Sequence, residues 1–258
     1  MATPRRSAEP HAGGAAGDLD TIRERIVTCT RCPRLREYCA RVAREKRAAY
    51  RGEEYWGRPV PGFGDPGARI VLVGLAPAAH GANRTGRMFT GDGRGGSGDF
   101  LMAALHAGGY ANRPSSSASG DGLALSDVWI AAAVRCAPPD NKPSPQEIAA
   151  CHVHLRDELA ALGRARVYVA LGRVAFDAIW RVLAERGLRP AERPTFRHGG
   201  VYPVAGGPTV IASYHPSRQN TQTGRLTAAM LEGVVSVFHR FAGAGVRSPA
   251  AGESPRET

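Results

Sequence analysis

Long apolar runs are absent from this sequence, and their absence excludes two kinds of protein. No run approaches the roughly 18 apolar residues that a membrane-spanning helix needs. The first stretch, MATPRRSAEPHAGGAAGDLD, also lacks the apolar core of about 7 or more residues that a secretory signal or membrane anchor requires. With 43% hydrophobic and 22% charged residues, the composition is that of a globular protein. We therefore expect a cytoplasmic protein of one domain, or at most two, that makes no membrane contact.

Negative charge is also in short supply. The formal net charge is +11 over 258 residues. Clustered basic side chains release counterions from nucleic acid, so this charge favours a polyanionic partner. The chain is rich in alanine, glycine and arginine, however, and a biased genome composition produces the same surplus. Charge alone leaves both interpretations open.

Four short apolar runs, each bounded by glycine or proline, predict buried strands. They are RIVLVGL from Arg69, VWIAAAV from Val128, RVYVALG from Arg166 and TVIASYH from Thr209. Helical patterns follow these runs, and strands that alternate with helices predict an α/β fold with a parallel sheet covered on both faces. Ligands then collect at the carboxyl ends of the strands, where the connecting loops converge.

The clearest predicted helix is SPQEIAACHVHLRDELAAL, in which Ser144 is the N-cap, Pro145 the first helical residue and Glu147 the partner in a capping box. Two further helices are predicted at about 174–186 and 225–241. Residues 1–18 and 243–258 are poor in large apolar groups, so we expect disordered tails on either side of one domain, 19–242.

Five cysteines are present, and an odd count in a cytoplasmic protein argues against a disulfide framework. Cys29 and Cys32 form a C-x-x-C pair, while Cys136 follows a predicted strand and Cys151 lies one turn inside the capped helix. Four thiolates suit either zinc or an iron–sulfur cluster, and their spacing does not decide between them. The alternatives are a redox-active or incidental C-x-x-C pair and a Cys151 that is simply buried. Cys39 has no evident partner, and we interpret it as structural.

The first loop, GLAPAAHGANRTGRMFTGDGRGGSGDF, has no lysine. It therefore cannot be the G-x-x-x-x-G-K-[S/T] phosphate loop, and no G-x-G-x-x-G directly follows the strand. It contains instead Arg84 and Arg87 beside Phe89, and then Asp92 among glycines. Guanidinium groups bind phosphate and an aromatic ring stacks on a base, so the loop suits DNA with a flipped base. Phe89 in the core and Asp92 in an Asx turn are the alternatives.

Two further loops carry polar residues at predicted strand ends. His215 opens SYHPSRQNTQTGR, where an imidazole can project into a cleft, and Arg218 to Asn220 form a polar tip. In RCAPPDNKPSPQE, the amide of Asn141 can donate to and accept from a base edge. A surface loop with a hydrogen-bonded histidine and a turn asparagine are the corresponding alternatives.

Taken together, these segments resemble the family 5 (UDGb-type) enzymes of the uracil-DNA glycosylase superfamily. The resemblance rests on GLAPAAHGANRTGRMFTGD, SYHPSRQNTQTGR, RCAPPDNKP, YWGRPVPGFGD and the spacing of four cysteines, and it covers about residues 20–241. It implies a single three-layer α/β/α sandwich with a short, mainly parallel four-stranded sheet. It also implies a structural [4Fe–4S] cluster held by Cys29, Cys32, Cys136 and Cys151.

The implied activity is the hydrolysis of the bond between uracil, or another damaged base, and deoxyribose. Other families of the superfamily place Asp, Asn or Glu just after the first strand, whereas this chain has Leu75 and Ala76 there. The resemblance therefore moves the catalytic candidates to Asp92, which would orient water or stabilise the sugar cation, with Asn141 facing the base and His215 donating to it. Phe89 is the implied stacking ring.

Further positions complete this expected site. Ala76 lies in the wall of the base pocket, and the candidate DNA contacts are Arg84, Arg87, Arg218, Gln219 and Asn220. The expected partner is double-stranded and also single-stranded DNA, bound by a monomer associated with the nucleoid. The alternative function is a non-catalytic nucleic-acid-binding module stabilised by a four-cysteine zinc or iron–sulfur site.

Overall fold

A computed structural model of the chain describes residues 14–91, 93, 95–190, 192 and 194–243, with side chains from residue 18 onward. A helix begins at Gly14, inside the stretch predicted to be a disordered tail, and the earlier part of that tail lies outside the described residues. Of the predicted C-terminal tail, only Gly243 is described.

Helices alternate along the chain with the strands of one mixed sheet. The strands are β1 (Phe63–Gly64), β2 (Ile70–Gly74), β3 (Val128–Ala132), β4 (Val167–Leu171), β5 (Val201–Tyr202) and β6 (Thr209–Ser213). The helices are α1 (Gly14–Val27), α2 (Pro33–Glu45), α3 (Ala82–Thr85), α4 (Ser97–Ala107), α5 (Pro145–Ala161), α6 (Arg173–Glu185), α7 (Arg218–Gln222), α8 (Ala228–Ser236) and α9 (Phe238–Ala242). Single 3-10 turns occur at Ala48–Tyr50 and Pro139–Asn141.

The four predicted strands are the parallel centre of the sheet, in the order β3-β2-β4-β6. Almost all of their residues are buried because helices cover both faces, which explains their continuous apolar runs. The predicted strand number was too low, since the described residues form a sheet of six. The added edge strands, β1 and β5, pair antiparallel and have 2 residues each, too short to produce a recognisable pattern.

Side chains alternate along the strands between two cores, one on each face of the sheet. Ile70 and Leu72 of β2 pack with α4, α8 and α9, whereas Val71 and Val73 pack with α1, α5 and α6. The predicted three-layer α/β/α sandwich is therefore confirmed.

The predicted capping box is confirmed at the start of α5. The Ser144 hydroxyl accepts from the Glu147 backbone N–H at 3.2 Å, and the Glu147 carboxylate accepts from the Ser144 N–H at 2.7 Å. The last predicted helix was too long at its start, because the Thr227 side chain caps α8. That helix is also interrupted at Val237, which separates α8 from α9.

No helix in the described ranges is both long and apolar enough to cross a bilayer.

Candidate active site

The rings of Phe89 and His215 meet at the carboxyl edge of the sheet. Phe89 belongs to the loop after β2 and His215 follows β6, so strand β4 lies between their parent strands. The ring centroids are 5.6 Å apart and the planes differ by 27°, a stacked arrangement. The structure therefore brings together two of the side chains that the sequence assigned to the base pocket.

Glycine at the end of β2 makes room for this contact. A Cβ atom at Gly74 would lie 3.0 Å from both Cε2 and Cζ of Phe89, closer than ordinary van der Waals contact. Phe89 itself has a φ of 49°, a conformation that is strained for a bulky residue by roughly 1–3 kcal/mol. Backbone strain of this kind concentrates at functional sites, which supports a functional position for the ring.

A flipped base does not fit between the two rings as they stand. Two stacking contacts of about 3.5 Å each require a gap of about 7 Å, and the centroids are only 5.6 Å apart. A base that stacks on Phe89 must therefore use its other face or displace the imidazole. His215 is consequently suited to meet the edge of a base rather than its face.

Asn220 is tied to the end of β6 rather than extended from the surface. Its side-chain amide donates to the carbonyl of His215 at 2.8 Å, and its own carbonyl accepts from the Leu226 N–H at 3.0 Å. Arg218 and Gln219, on the same short helix α7, are exposed. A Cβ at Gly93 would lie 3.1 Å from Nη2 of Arg218, so α7 reaches the first loop.

Arg84 lies in the interior, with only 7% of its surface exposed. Its guanidinium donates to the carbonyls of His80 at 3.0 Å and Gly91 at 2.6 Å, forms an ion pair with Glu53 and lies 4.0 Å from the ring centroid of Tyr50. The structure therefore assigns this side chain to internal contacts and not to the predicted phosphate contact. The Gly91 carbonyl that it holds directly precedes Asp92.

Arg87 is also buried, at 9% exposure. It donates to the hydroxyls of Thr90 at 2.9 Å and Ser116 at 3.0 Å, and pairs with Asp121 at 2.8 Å. Burial acts against the charge of Asp121, but Arg87 and the backbone N–H groups around it hold the pKa of that carboxyl well below its usual value. Arg84 and Arg87 thus fix the segment that leads to Asp92 from inside.

Three base-pocket candidates remain, which are Asn141, Ala76 and Asp92. Asn141 is exposed in the 3-10 turn after β3 and has a φ of 56°. Ala76 is half-buried and packs against the apolar residues around the cysteines. Asp92, the predicted residue for water or the sugar cation, lies outside the described residues.

The four cysteines predicted to bind a metal group line one cavity. Cys29 and Cys32 lie between α1 and α2, Cys136 follows β3 and Cys151 lies on α5. The fifth cysteine, Cys39, is fully buried beside them, where its thiol donates to the carbonyl of Ala137 at 3.6 Å. The sequence separates these segments widely, and the fold brings them to one point.

Polar contacts frame this cysteine cavity. The Arg135 backbone N–H donates to Cys151 Sγ at 3.2 Å, and the Arg36 guanidinium lies 3.9 Å from Cys136 Sγ. Burial raises the pKa of Cys151 to about 12. Burial and the neighbouring Cys136 thiol also raise the pKa of Cys32.

A further ion pair joins the two cysteine-bearing segments outside the cavity. Arg34, two residues after Cys32, forms a two-pronged contact with Glu147 at 2.8 and 2.7 Å. Glu147 also closes the capping box of α5, the helix that carries Cys151. Within the described part of the chain, no group of three or more His, Cys, Asp or Glu side chains has the arrangement that holds a single metal ion.

A family model described as the uracil DNA glycosylase superfamily matches residues 61–238. The chain belongs to the uracil DNA glycosylase superfamily. The matched range includes Phe89, Asn141 and His215, as well as Cys136 and Cys151. The predicted family and the predicted enzyme class, a DNA glycosylase, are therefore confirmed, and the alternative of a non-catalytic module is not favoured.

Curated relatives within this superfamily are similar to the chain over most of its length. A type-5 uracil-DNA glycosylase of Thermus thermophilus is 53% identical over 226 residues, which are 88% of this chain and 99% of that protein. Relatives of the same name from Pyrobaculum aerophilum and Mycobacterium leprae are 47% and 45% identical, covering 85% and 89% of this chain and 91% and 98% of those proteins.

Sequence reasoning missed several residues that shape the site. Asn220 was predicted as a DNA contact, and its hydrogen bond to His215 has no sequence signal because it depends on how α7 folds back. Arg135 and His154, which line the cysteine cavity, were not singled out. Their positions beside Cys136 and three residues after Cys151 were the available signals, since residues three apart share a helix face.

Proposed function

We propose that this chain flips uracil out of DNA and hydrolyses its N-glycosidic bond, with Phe89, Asn141 and His215 around the flipped base. The stacked pair of Phe89 and His215, from loops after β2 and β6, is the observation that carries this proposal. A water molecule adds to the sugar carbon as the carbon–nitrogen bond breaks, and the departing base receives the proton. The product is DNA with an abasic site.

In this proposal, charge stabilisation replaces a strong base. The bond breaks through an oxocarbenium-like sugar, so negative charge develops on the departing base and positive charge on the sugar. His215 donates a hydrogen bond to the base, and Asn141 pairs with its edge. Asp92 orients the water or stabilises the sugar cation, and the buried Arg84 and Arg87 hold the segment that precedes it.

The DNA-binding surface is proposed to follow the exposed part of helix α7. Arg218 and Gln219 are exposed next to His215, where they can fill the space left by a flipped nucleotide. Flipping costs a few kcal/mol and is cheapest for mispaired bases, so a G·U pair is the favoured substrate. The net charge of +11 supports binding to both double- and single-stranded DNA. We further infer a monomer that works in the cytoplasm at the nucleoid and accepts other deaminated or damaged bases.

We also propose that Cys29, Cys32, Cys136 and Cys151 hold a structural [4Fe–4S] cluster. The shared cavity and the N–H group directed at Cys151 Sγ support this assignment. Iron–sulfur clusters are bound by four thiolates, and hydrogen bonds to their sulfurs are a common feature. A cluster places one iron at each thiolate and so needs ligands further apart than a single ion does.

The activity is tested with duplex DNA that contains one G·U pair. Incubation with the purified protein, followed by alkali, should cleave the uracil-containing strand, and a duplex with a G·C pair at that position should remain intact. Binding without alkali-sensitive sites would contradict the glycosylase and favour the binding module. A panel of hypoxanthine, xanthine and etheno-cytosine substrates tests the proposed breadth.

The cluster is tested separately, by the colour and metal content of the protein. We expect a brown protein with about four iron and four sulfide per chain, as a [4Fe–4S] group requires. A colourless protein with one zinc per chain would overturn the cluster assignment and leave the glycosylase proposal unaffected.

A further inference from the structure

Two buried residues beside the cysteine cavity carry nitrogen atoms without a partner. Arg135 is 1% exposed and His154 is 7% exposed, and both line the cavity. Within the described residues, Nε and Nη1 of Arg135 and Nε2 of His154 have no hydrogen-bond partner. Buried polar groups are almost always hydrogen-bonded, so these nitrogens indicate an acceptor other than the described residues of the chain.

The position of Arg135 is fixed by contacts at both of its ends. Its backbone N–H donates to Cys151 Sγ at 3.2 Å, and its Nη2 pairs with the buried carboxylate of Glu158. Cys151, His154 and Glu158 follow each other on one face of α5, because residues three and four apart are neighbours on a helix. The side chain of Arg135 therefore extends along this face from the cysteine toward Glu158, past His154.

We infer that Arg135 and His154 donate hydrogen bonds to the sulfur atoms of the iron–sulfur group and thereby raise its reduction potential. This inference rests on the proposed cluster. The guanidinium of Arg135 contributes a positive charge as well as two donor nitrogens, Nε and Nη1. Positive charge and hydrogen bonds at the sulfurs stabilise the more negative, reduced form of a cluster. His154 contributes one neutral donor when its proton is on Nε2.

The test measures the reduction potential of the bound group in purified, iron-loaded protein. Arg135→Gln and His154→Phe should each lower the potential, with the larger shift for Arg135→Gln because it also removes a charge. Glu158→Gln keeps both arginine donors and removes the compensating carboxylate, so it should shift the potential in the opposite direction. His152→Phe is the matched control, because His152 lies on the same helix, pairs with Glu185 and does not line the cavity.

Resonance Raman spectra provide a second measurement that does not require reduction. Loss of hydrogen bonds to sulfur should shift the iron–sulfur stretching bands in Arg135→Gln and His154→Phe but not in His152→Phe. If Arg135→Gln fails to fold, Arg135→Lys keeps the charge with a different donor geometry and should shift the same bands.

The reduction potential should shift in opposite directions in Arg135→Gln and Glu158→Gln, and a purely structural role for Arg135 would not produce this difference. Unchanged potentials and bands in the two cavity variants would overturn the inference, as would equal shifts in the same direction for Arg135→Gln and Glu158→Gln. A protein without iron would overturn it together with the cluster. Excision of uracil by that same protein would show that the proposed glycosylase stands independently.

Discussion

The side-chain amide of Asn220 donates a hydrogen bond of 2.8 Å to the main-chain carbonyl of His215. Asn220→Ala should therefore loosen the strand end that carries the imidazole. A neutral hydrogen bond contributes about 1 kcal/mol, so we expect a roughly fivefold lower single-turnover rate of uracil excision with little change in DNA affinity. Gln222→Ala, at the exposed end of the same helix, is the control and should retain the wild-type rate. An equal loss of rate in both variants would contradict a positioning role for Asn220.

His215→Ala should slow excision much more strongly. Loss of one donor to charge that develops in the transition state typically costs about 2.7–4 kcal/mol, which is a factor of about 10² to 10³ in rate. Single-turnover excision from a G·U duplex measures the rate, and equilibrium titration with the same DNA measures affinity. His106→Ala, on α4, is the control. If affinity falls as much as the rate, His215 is a binding residue.

Substitutions of exposed and of buried arginines should differ in their effect on the salt dependence of DNA affinity. Arg218→Gln should reduce the log–log slope of DNA affinity against salt by about 0.9 if this side chain neutralises one phosphate. Arg84→Lys should leave that slope unchanged and lower the free energy of unfolding by about 2 kcal/mol, because lysine cannot bind both carbonyls and Glu53 together. A changed slope in Arg84→Lys would indicate that Arg84 contacts DNA.

The Arg87–Asp121 pair should make the free energy of unfolding depend on pH in the acidic range. The pKa of Asp121 is depressed in the folded protein, so its contribution is complete above the usual aspartate value and is lost as the pH falls toward the folded value. Asp121→Asn should cost about 3 kcal/mol at neutral pH, and its difference from wild type should shrink below about pH 4. Urea unfolding across this range measures the effect.

The control for this pH dependence is the exposed ion pair of Arg173 and Asp177 on α6, whose side chains are 66% and 59% exposed. Asp177→Asn should change stability by less than about 0.5 kcal/mol at any pH. A constant difference between Asp121→Asn and wild type from neutral to acidic pH would show that the charge of Asp121 is not what stabilises the fold.

The central strands of the fold were predictable because nearly all of their residues are apolar. Residues such as Val71 and Leu72 face opposite cores, so both must be apolar, and the resulting run is visible in the sequence. The cap at Ser144 was visible because its signal lies within four residues. Strands β1 and β5 were not visible, since a two-residue strand is defined by its partner and not by a pattern of its own.

The candidate site was less predictable than the sheet for the same reason. A sequence indicates that Arg84 and Arg87 are charged, but burial depends on Glu53 and Asp121, which are distant along the chain. Arginine near an aromatic residue therefore suggested DNA where the structure has internal ion pairs. The sequence suggested one set of four cysteines, and the fold shows that the pair before α2 and the two cysteines after β3 line one cavity.

The contact of Arg34 with Glu147 joins residues that are 113 positions apart. During synthesis, at about 5–20 residues per second, the ribosome completes the first pair of thiols roughly 5 to 21 s before it reaches Cys136. Cys29 and Cys32 stay without their later partners throughout that interval. Assembly of the four-cysteine cavity is thus a late event in the life of each new chain, because it waits for the segment after β3 and for α5.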